Sequence, residues 1–195
     1  MEAATPLVLG IAGSPRRHGN SEQLLDACLA GVEAAGGESR KLVVAGMGIE
    51  PCRGCNACSL TGECVIRDRM REVYPQLDQA SAIVVSTPVF FATVPAVLKA
   101  LYDRCQPYWA RRYVLNEPAP PKRRPGGILV VGGGGDPYGG ECADATTKSV
   151  FAVLDVRKMF EVVVEGVDSP SDLGRHPDAL GKAREAGQGI VGAAL

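Results

Sequence analysis

Apolar residues recur along this chain in two alternating rhythms. Short runs rich in β-branched residues, at positions 7–11, 42–44, 83–85, 128–131 and 162–164, suit strands buried on both faces. Between them the apolar spacing lengthens to three or four. Leu24, Leu25, Cys28, Leu29 and Val32 form one helical stripe, and Val97, Leu98, Leu101 and Cys105 form another. Asp68 suits the cap of a helix carrying Met70, Val73 and Leu77, and Pro95 suits the first turn of the next. Val150, Phe151 and Leu154 predict a helix over 145–159, and a last helix is expected over 178–191. Strands alternating with helices predict an α/β fold, a doubly wound sheet of five parallel strands with helices on both faces. Two segments break the rhythm. Residues 50–68 hold a cluster of cysteines, and residues 111–127, rich in proline and basic residues, read as an exposed excursion.

Composition narrows the picture. The 195 residues show no shift of composition, which predicts a single domain over 1–195. The chain is 46% hydrophobic, yet no apolar run reaches the roughly 18 residues that span a bilayer, and the first nine residues lack the layout of a signal peptide. The expectation is a cytoplasmic protein without a membrane partner. A net charge of -1, with scattered Lys and Arg, gives no reason to expect nucleic acid. Four of the seven cysteines fall within thirteen residues, too dense for a disulfide framework and suited to a metal centre in a reducing compartment.

The first strand runs into Gly13-Ser14-Pro15-Arg16-Arg17-His18-Gly19-Asn20-Ser21, with a helix expected from Asn20 or Ser21. A loop entering a helix N-terminus presents free amides and a positive dipole end, a seat for phosphate. Ser14, Asn20 and Ser21 add hydrogen-bonding side chains and Arg16 adds charge, enough for a mononucleotide's phosphate. Neither G-x-G-x-x-G nor G-x-x-x-x-G-K-[ST] occurs here, which argues against a dinucleotide or triphosphate loop. The plainer alternative is an ordinary capped helix.

Gly13-Ser14-Pro15-Arg16 followed by Gly19-Asn20-Ser21 resembles the phosphate loop of the flavodoxin-like NADPH-dependent FMN reductase superfamily. Ser86-Thr87-Pro88-Val89-Phe90-Phe91, leading through Leu98-Lys99 to Asp103-Arg104, resembles the segment that runs alongside the flavin in those proteins. The resemblance covers most of the chain and implies strand order 2-1-3-4-5 with FMN at the carboxyl ends of the strands. Backbone groups from Thr87, Pro88, Val89 and Phe90 would edge the ring, with Phe90 and Phe91 packing on it. Phe90 stands where the family often has Tyr, so apolar packing is kept while no hydroxyl is offered to the flavin. A third loop, Gly132-Gly133-Gly134-Gly135-Asp136, should reach the same crevice, where Gly133 and Gly134 offer bare backbone to the ring. Four glycines could otherwise mark a loose connection.

Cys52, Cys55, Cys58 and Cys64 follow C-x-x-C-x-x-C-x-x-x-x-x-C. Thiolates at steps of three on a turning backbone can face one 4Fe-4S cubane, with the fourth cysteine closing it. The pattern resembles the compact motif of iron-sulfur flavoproteins, a resemblance that implies a cluster close to FMN and a homo-oligomer. The alternatives are a structural zinc, a cluster-free loop, or a redox pair of Cys52 and Cys55. Cys28 and Cys105 lie on apolar helical faces and read as core, while Cys142 is left without a role.

His18 and His176 read as surface histidines, and Tyr108, Trp109 and Tyr113 as an oligomer contact or a flavin cover. No hydrolytic constellation is recognisable. The leading expectation is an iron-sulfur flavoprotein taking electrons from a carrier such as ferredoxin, via a 4Fe-4S cluster and FMN, to a small acceptor. Its rivals are a cluster-free NAD(P)H-dependent FMN, quinone or nitro reductase, and a flavodoxin-like carrier without a substrate.

Overall fold

The structure, a computed structural model, describes residues 5–194; positions 1–4 and 195 of the expected domain lie outside the described residues. Five parallel strands form one sheet in the order β2-β1-β3-β4-β5. They are β1 (Leu7–Ala12), β2 (Glu38–Val43), β3 (Ala82–Pro88), β4 (Arg124–Gly132) and β5 (Val156–Glu165). Helices α1 (Asn20–Ala34), α2 (Cys58–Thr61), α3 (Met70–Gln79), α4 (Ala96–Asp103), α5 (Gln106–Tyr113), α6 (Glu141–Val153) and α7 (Pro177–Ala194) complete it, with a 3-10 turn at Asp172–Arg175. The expected fold class and strand order are both present.

Two cores flank the sheet, because alternate side chains of each strand point to opposite faces. Leu9, Ile11, Ile83, Val85 and Ile128 pack with Met70, Leu77, Leu98 and Leu101 on one side. Val8, Val84, Leu129 and Val131 pack with Leu24, Leu25, Val32, Ile190 and Val191 on the other. On that second face α1 and α7 touch backbone to backbone. A Cβ on Gly31 would lie 2.0 Å from the Arg184 carbonyl oxygen, and one on Gly187 would lie 1.9 Å from that of Cys28. Both helices need glycine at the crossing.

Several boundaries differ from expectation, β2 among them, which begins at exposed Glu38 ahead of the apolar run. The helix expected over 145–159 ends at Val153, and Val156 to Met159 begin β5. Asp155, with φ 55, makes the break. β5 is an edge strand in which exposed Arg157 and Glu161 interleave with buried Val156, Val162 and Val164, so its leading half lacks the continuous apolar run of the central strands. The excursion expected over 111–127 shrinks to 114–123, because α5 extends to Tyr113 and β4 begins at Arg124. The Arg124 guanidinium is drawn inside by the carbonyl ends of two helices, donating to Leu77, Ala80 and Leu154. Pro95 precedes α4 as its cap, one step before the first turn.

Candidate functional site

The first loop leaves β1 through Gly13, whose N–H donates to the Ser86 carbonyl at 2.8 Å. A Cβ there would lie 2.4 Å from Leu98 Cδ2, so the loop passes α4 only because Gly13 is bare. Extended Gly19 caps α1, and the amides of Asn20, Ser21 and Glu22 therefore lack intrahelical acceptors and stand open to an anion. Buried Ser14 accepts the Arg16 N–H at 3.1 Å, and the Arg16 guanidinium donates to the Asp168 carbonyl at 3.2 Å. The Ser21 carbonyl accepts the Ser86 hydroxyl at 2.6 Å, which pins the helix start to β3. Asn20 differs from expectation. Its Nδ2 donates to the Ser169 carbonyl at 2.9 Å and its Oδ1 accepts the Leu173 N–H at 3.3 Å, so its side chain holds a strap at 168–173 and only its backbone amide faces the anion seat.

Glu22 is not among the residues the sequence singles out, yet it organises this loop. Its side chain is 2% exposed and accepts the His18 N–H at 2.7 Å, Arg17 Nε at 3.3 Å and Lys41 Nζ at 3.1 Å. Burial raises its pKa, but the His18 amide, Arg17 and Lys41 together lower it to about 2. The charged carboxylate thus holds His18 in its left-handed conformation, φ 56. The available signal is a Glu three residues beyond the helix cap, the spacing of a capping box.

The second loop follows β3. Thr87 is buried and its hydroxyl donates to the Pro88 carbonyl at 2.9 Å. The Val89 N–H donates to the Val131 carbonyl at 2.8 Å, and Phe90 and Thr93 exchange backbone bonds of 2.8 and 3.1 Å. These bonds close a two-residue turn over Phe91 and Ala92, both left-handed at φ 49 and 66, a conformation glycine or asparagine usually supplies. The amides of Val89 and Phe90 are thereby used within the protein, leaving Phe91 and Ala92 as the turn's remaining donors. Phe91 is 99% exposed at the tip.

The third loop faces the second across a cavity of about 240 Å³, where Val89 and Phe91 oppose Gly132, Gly133, Gly134 and Asp136. A Cβ on Gly133 would lie 2.4 Å from Asp168 Oδ1, so Gly133 makes room for a carboxylate. A Cβ on Gly134 would meet the Gly166 amide nitrogen at 3.9 Å, an ordinary contact, and Gly135 borders open space. Asp168 thus ties the first loop to the third. Its strap is fixed by Asp172, whose Oδ2 accepts the N–H groups of Asp168 and Ser169 at 3.0 and 2.8 Å.

The cysteines lie on the loop between β2 and α3. Its backbone turns left-handed at Gly54, Asn56 and Gly62, residue types that tolerate this conformation. Cys52, Cys55, Cys58 and Cys64 all line one cavity of about 270 Å³, closed on its far side by Asp103, Arg104, Pro107 and Trp109. Among the described residues no three His, Cys, Asp or Glu side chains meet at a single-ion site. Arg104 is 0% exposed and holds both ends of the loop. Its Nη1 donates to Asp68 Oδ2 at 2.6 Å and to the Glu50 carbonyl at 2.9 Å, while Nη2 donates to Asp68 Oδ1 at 3.0 Å. Asp68 also accepts the Glu50 N–H at 2.8 Å. Burial opposes the Asp68 charge, but Arg104 and the amides of Glu50 and Met70 hold its carboxyl below the usual range. Asp68 therefore serves the loop more than the helix it was expected to cap. Of the aromatic cluster, Trp109 lines the cysteine cavity with Tyr113 beside it at 5.8 Å between ring centroids, whereas Tyr108 donates to Asp78 at 2.8 Å and lines a different cavity.

The profile described as NADPH-dependent FMN reductase matches residues 6–167. The chain belongs to this family. Among curated relatives, an iron-sulfur flavoprotein of Methanosarcina thermophila is 32% identical over 80% of this chain and 76% of its own length. An iron-sulfur flavoprotein of Archaeoglobus fulgidus is 36% identical over 66% of this chain, and the match spans 56% of that relative, little more than half of it. A solved NAD(P)H:quinone oxidoreductase from Methanothermobacter marburgensis superposes with a TM-score of 0.71 at 20% identity, covering 96% of this chain and 100% of its own, and it shows the shared fold.

FMN is the cofactor this FMN reductase family implies, and the crevice suits it. Open amides at Asn20, Ser21 and Glu22 can take a phosphate, and the backbone of Gly132, Gly133 and Gly134 lines the neighbouring cavity where a ring can lie. The family frame also explains why the three loops meet at the carboxyl edge of β1, β3 and β4, where doubly wound sheets bind ligands.

Proposed function

We propose that the chain is an FMN-dependent oxidoreductase of the iron-sulfur flavoprotein kind, holding FMN in the three-loop crevice and a 4Fe-4S cluster on Cys52, Cys55, Cys58 and Cys64. Its electron donor is a carrier protein such as ferredoxin and its acceptor a small molecule. The observation that carries this reading is that all four thiols line one cavity. Four cysteines on the wall of one cavity are the ligand set that a 4Fe-4S cluster takes. When bound, the cluster supplies single-electron transfer beside a flavin that exchanges one or two electrons.

The chain's own residues do the rest. Ser14, Arg16 and the amides of Asn20 and Ser21 hold the phosphate; Thr87 and Pro88 carry β3 up to Val89 on the crevice wall; Phe90 and Phe91 pack against the ring, opposite Gly133 and Gly134. Val89, Phe91 and Asp168 line the cavity beside the ring. Exposed Phe91 and half-exposed Trp109 supply apolar surface for a homo-oligomer. Seven free cysteines agree with a reducing, cytoplasmic setting, and among the described residues no helix is long and apolar enough to cross a membrane.

Membership of an NADPH-dependent family favours a second reading, a nicotinamide donor. Carboxylates of Asp136, Glu165 and Asp168, with no Lys or Arg, line the cavity at the glycine loop and oppose a polyanionic dinucleotide there. Steady-state assay separates the two: rapid FMN-dependent NAD(P)H oxidation supports the second reading, and reduction by a ferredoxin alone supports the first. Cys55→Ala should abolish iron binding while sparing FMN, measured by iron analysis and flavin absorbance. Full iron content in that variant would remove the ligand assignment.

A further inference from the structure

Arg104 has one polar atom that the protein does not use. Its two Nη atoms are taken up by Asp68 and by the Glu50 and Ile66 carbonyls, the last at 3.4 Å. Among the described residues its Nε is the buried side-chain nitrogen or oxygen without a hydrogen-bond partner. Leaving such a donor dry and unpaired is costly, more so for a charged group, so a partner is expected once the site is complete. Arg104 is among the residues that line the four-cysteine cavity, and it is the buried cation among them. Arg53, the other arginine there, is exposed and paired with Glu50 at 2.5 Å.

We propose that Arg104 is a positioning and potential-setting residue for the cluster, donating its Nε–H to a cluster or thiolate sulfur. This rests on the reading that the cysteine loop holds a cluster. Because the same guanidinium grips Glu50 and Asp68 at either end of the loop, it shapes the cavity before iron arrives. Because a hydrogen bond from a cation stabilises the more negative, reduced cluster, it makes reduction easier. The Arg104 side chain is 0% exposed, so that bond lies away from bulk water, where it would be screened.

The test uses the full chain, purified or reconstituted without oxygen. With 15N-arginine incorporated in an Arg53→Lys background, pulsed EPR of the reduced cluster should show coupling to an arginine nitrogen. Arg104→Lys keeps the charge beside Asp68 and removes Nε–H. It should retain about four irons per chain while the equilibrium constant for cluster reduction falls about tenfold, a drop of about 59 mV for one electron. Absence of arginine coupling in protein that holds its four irons overturns the proposal, whether or not the lysine variant folds. An unchanged potential in an iron-replete lysine variant overturns it too. Protein without iron in the unsubstituted chain overturns the cluster reading and this inference together, which separates the two failures.

Discussion

At the scale of single residues, the site is governed by buried charge. Glu22 is the clearest case. With an ordinary pKa of 4.5 lowered to about 2, it contributes stability that is fully present above pH 4.5 and lost as pH falls from 4.5 towards 2, up to about 3 kcal/mol. Glu22→Gln strands Arg17 and leaves Lys41 with Asp26 alone, and should cost about 1–3 kcal/mol at pH 7 in urea unfolding. The variant's stability should also change less than that of the unsubstituted chain between pH 4.5 and 2. Equal acid sensitivity in both proteins would show that Glu22 does not anchor the loop. Of the residues expected to bind phosphate, the placement of Ser14, Arg16 and Ser21 on the loop from β1 into α1 is legible in sequence, because a strand-to-helix loop has few ways to run. Asn20 is legible in position and not in role, because its partners, Ser169 and Leu173, lie about 150 positions away. Arg104 and Asp68 are invisible as a pair for the same reason.

At the scale of elements, central strands read clearly and edges do not. β1, β3 and β4 are buried on both faces and announce themselves as apolar runs, whereas β5 exposes one face and its start reads as helix. The short helices α2 and α5 lack enough turns to show a periodicity, and α5 matters because it carries Trp109 to the cysteine cavity. The α1–α7 crossing makes a prediction of its own. Gly31→Ala places a methyl against the Arg184 carbonyl and should separate the helices at a cost of about 1–3 kcal/mol, read as a lower urea midpoint with an unchanged slope. Wild-type stability in that variant would mean the two backbones are not in contact.

At the scale of the molecule, three loops converge at the carboxyl edge of the sheet and a fourth wraps the cysteine cavity. This convergence is legible in sequence because strand order follows from the alternation of elements and the family resemblance, and a crevice follows from strand order. The closure of the cysteine loop against α4 by Arg104 is not, since that contact exists only after folding. One chain is thus proposed to hold a flavin and a cluster in separate seats. The most direct measurement is the flavin and iron content of the protein purified without oxygen. One FMN and about four irons with matching acid-labile sulfide are expected per chain. Flavin absorbance with neither iron nor sulfide would contradict the two-seat molecule.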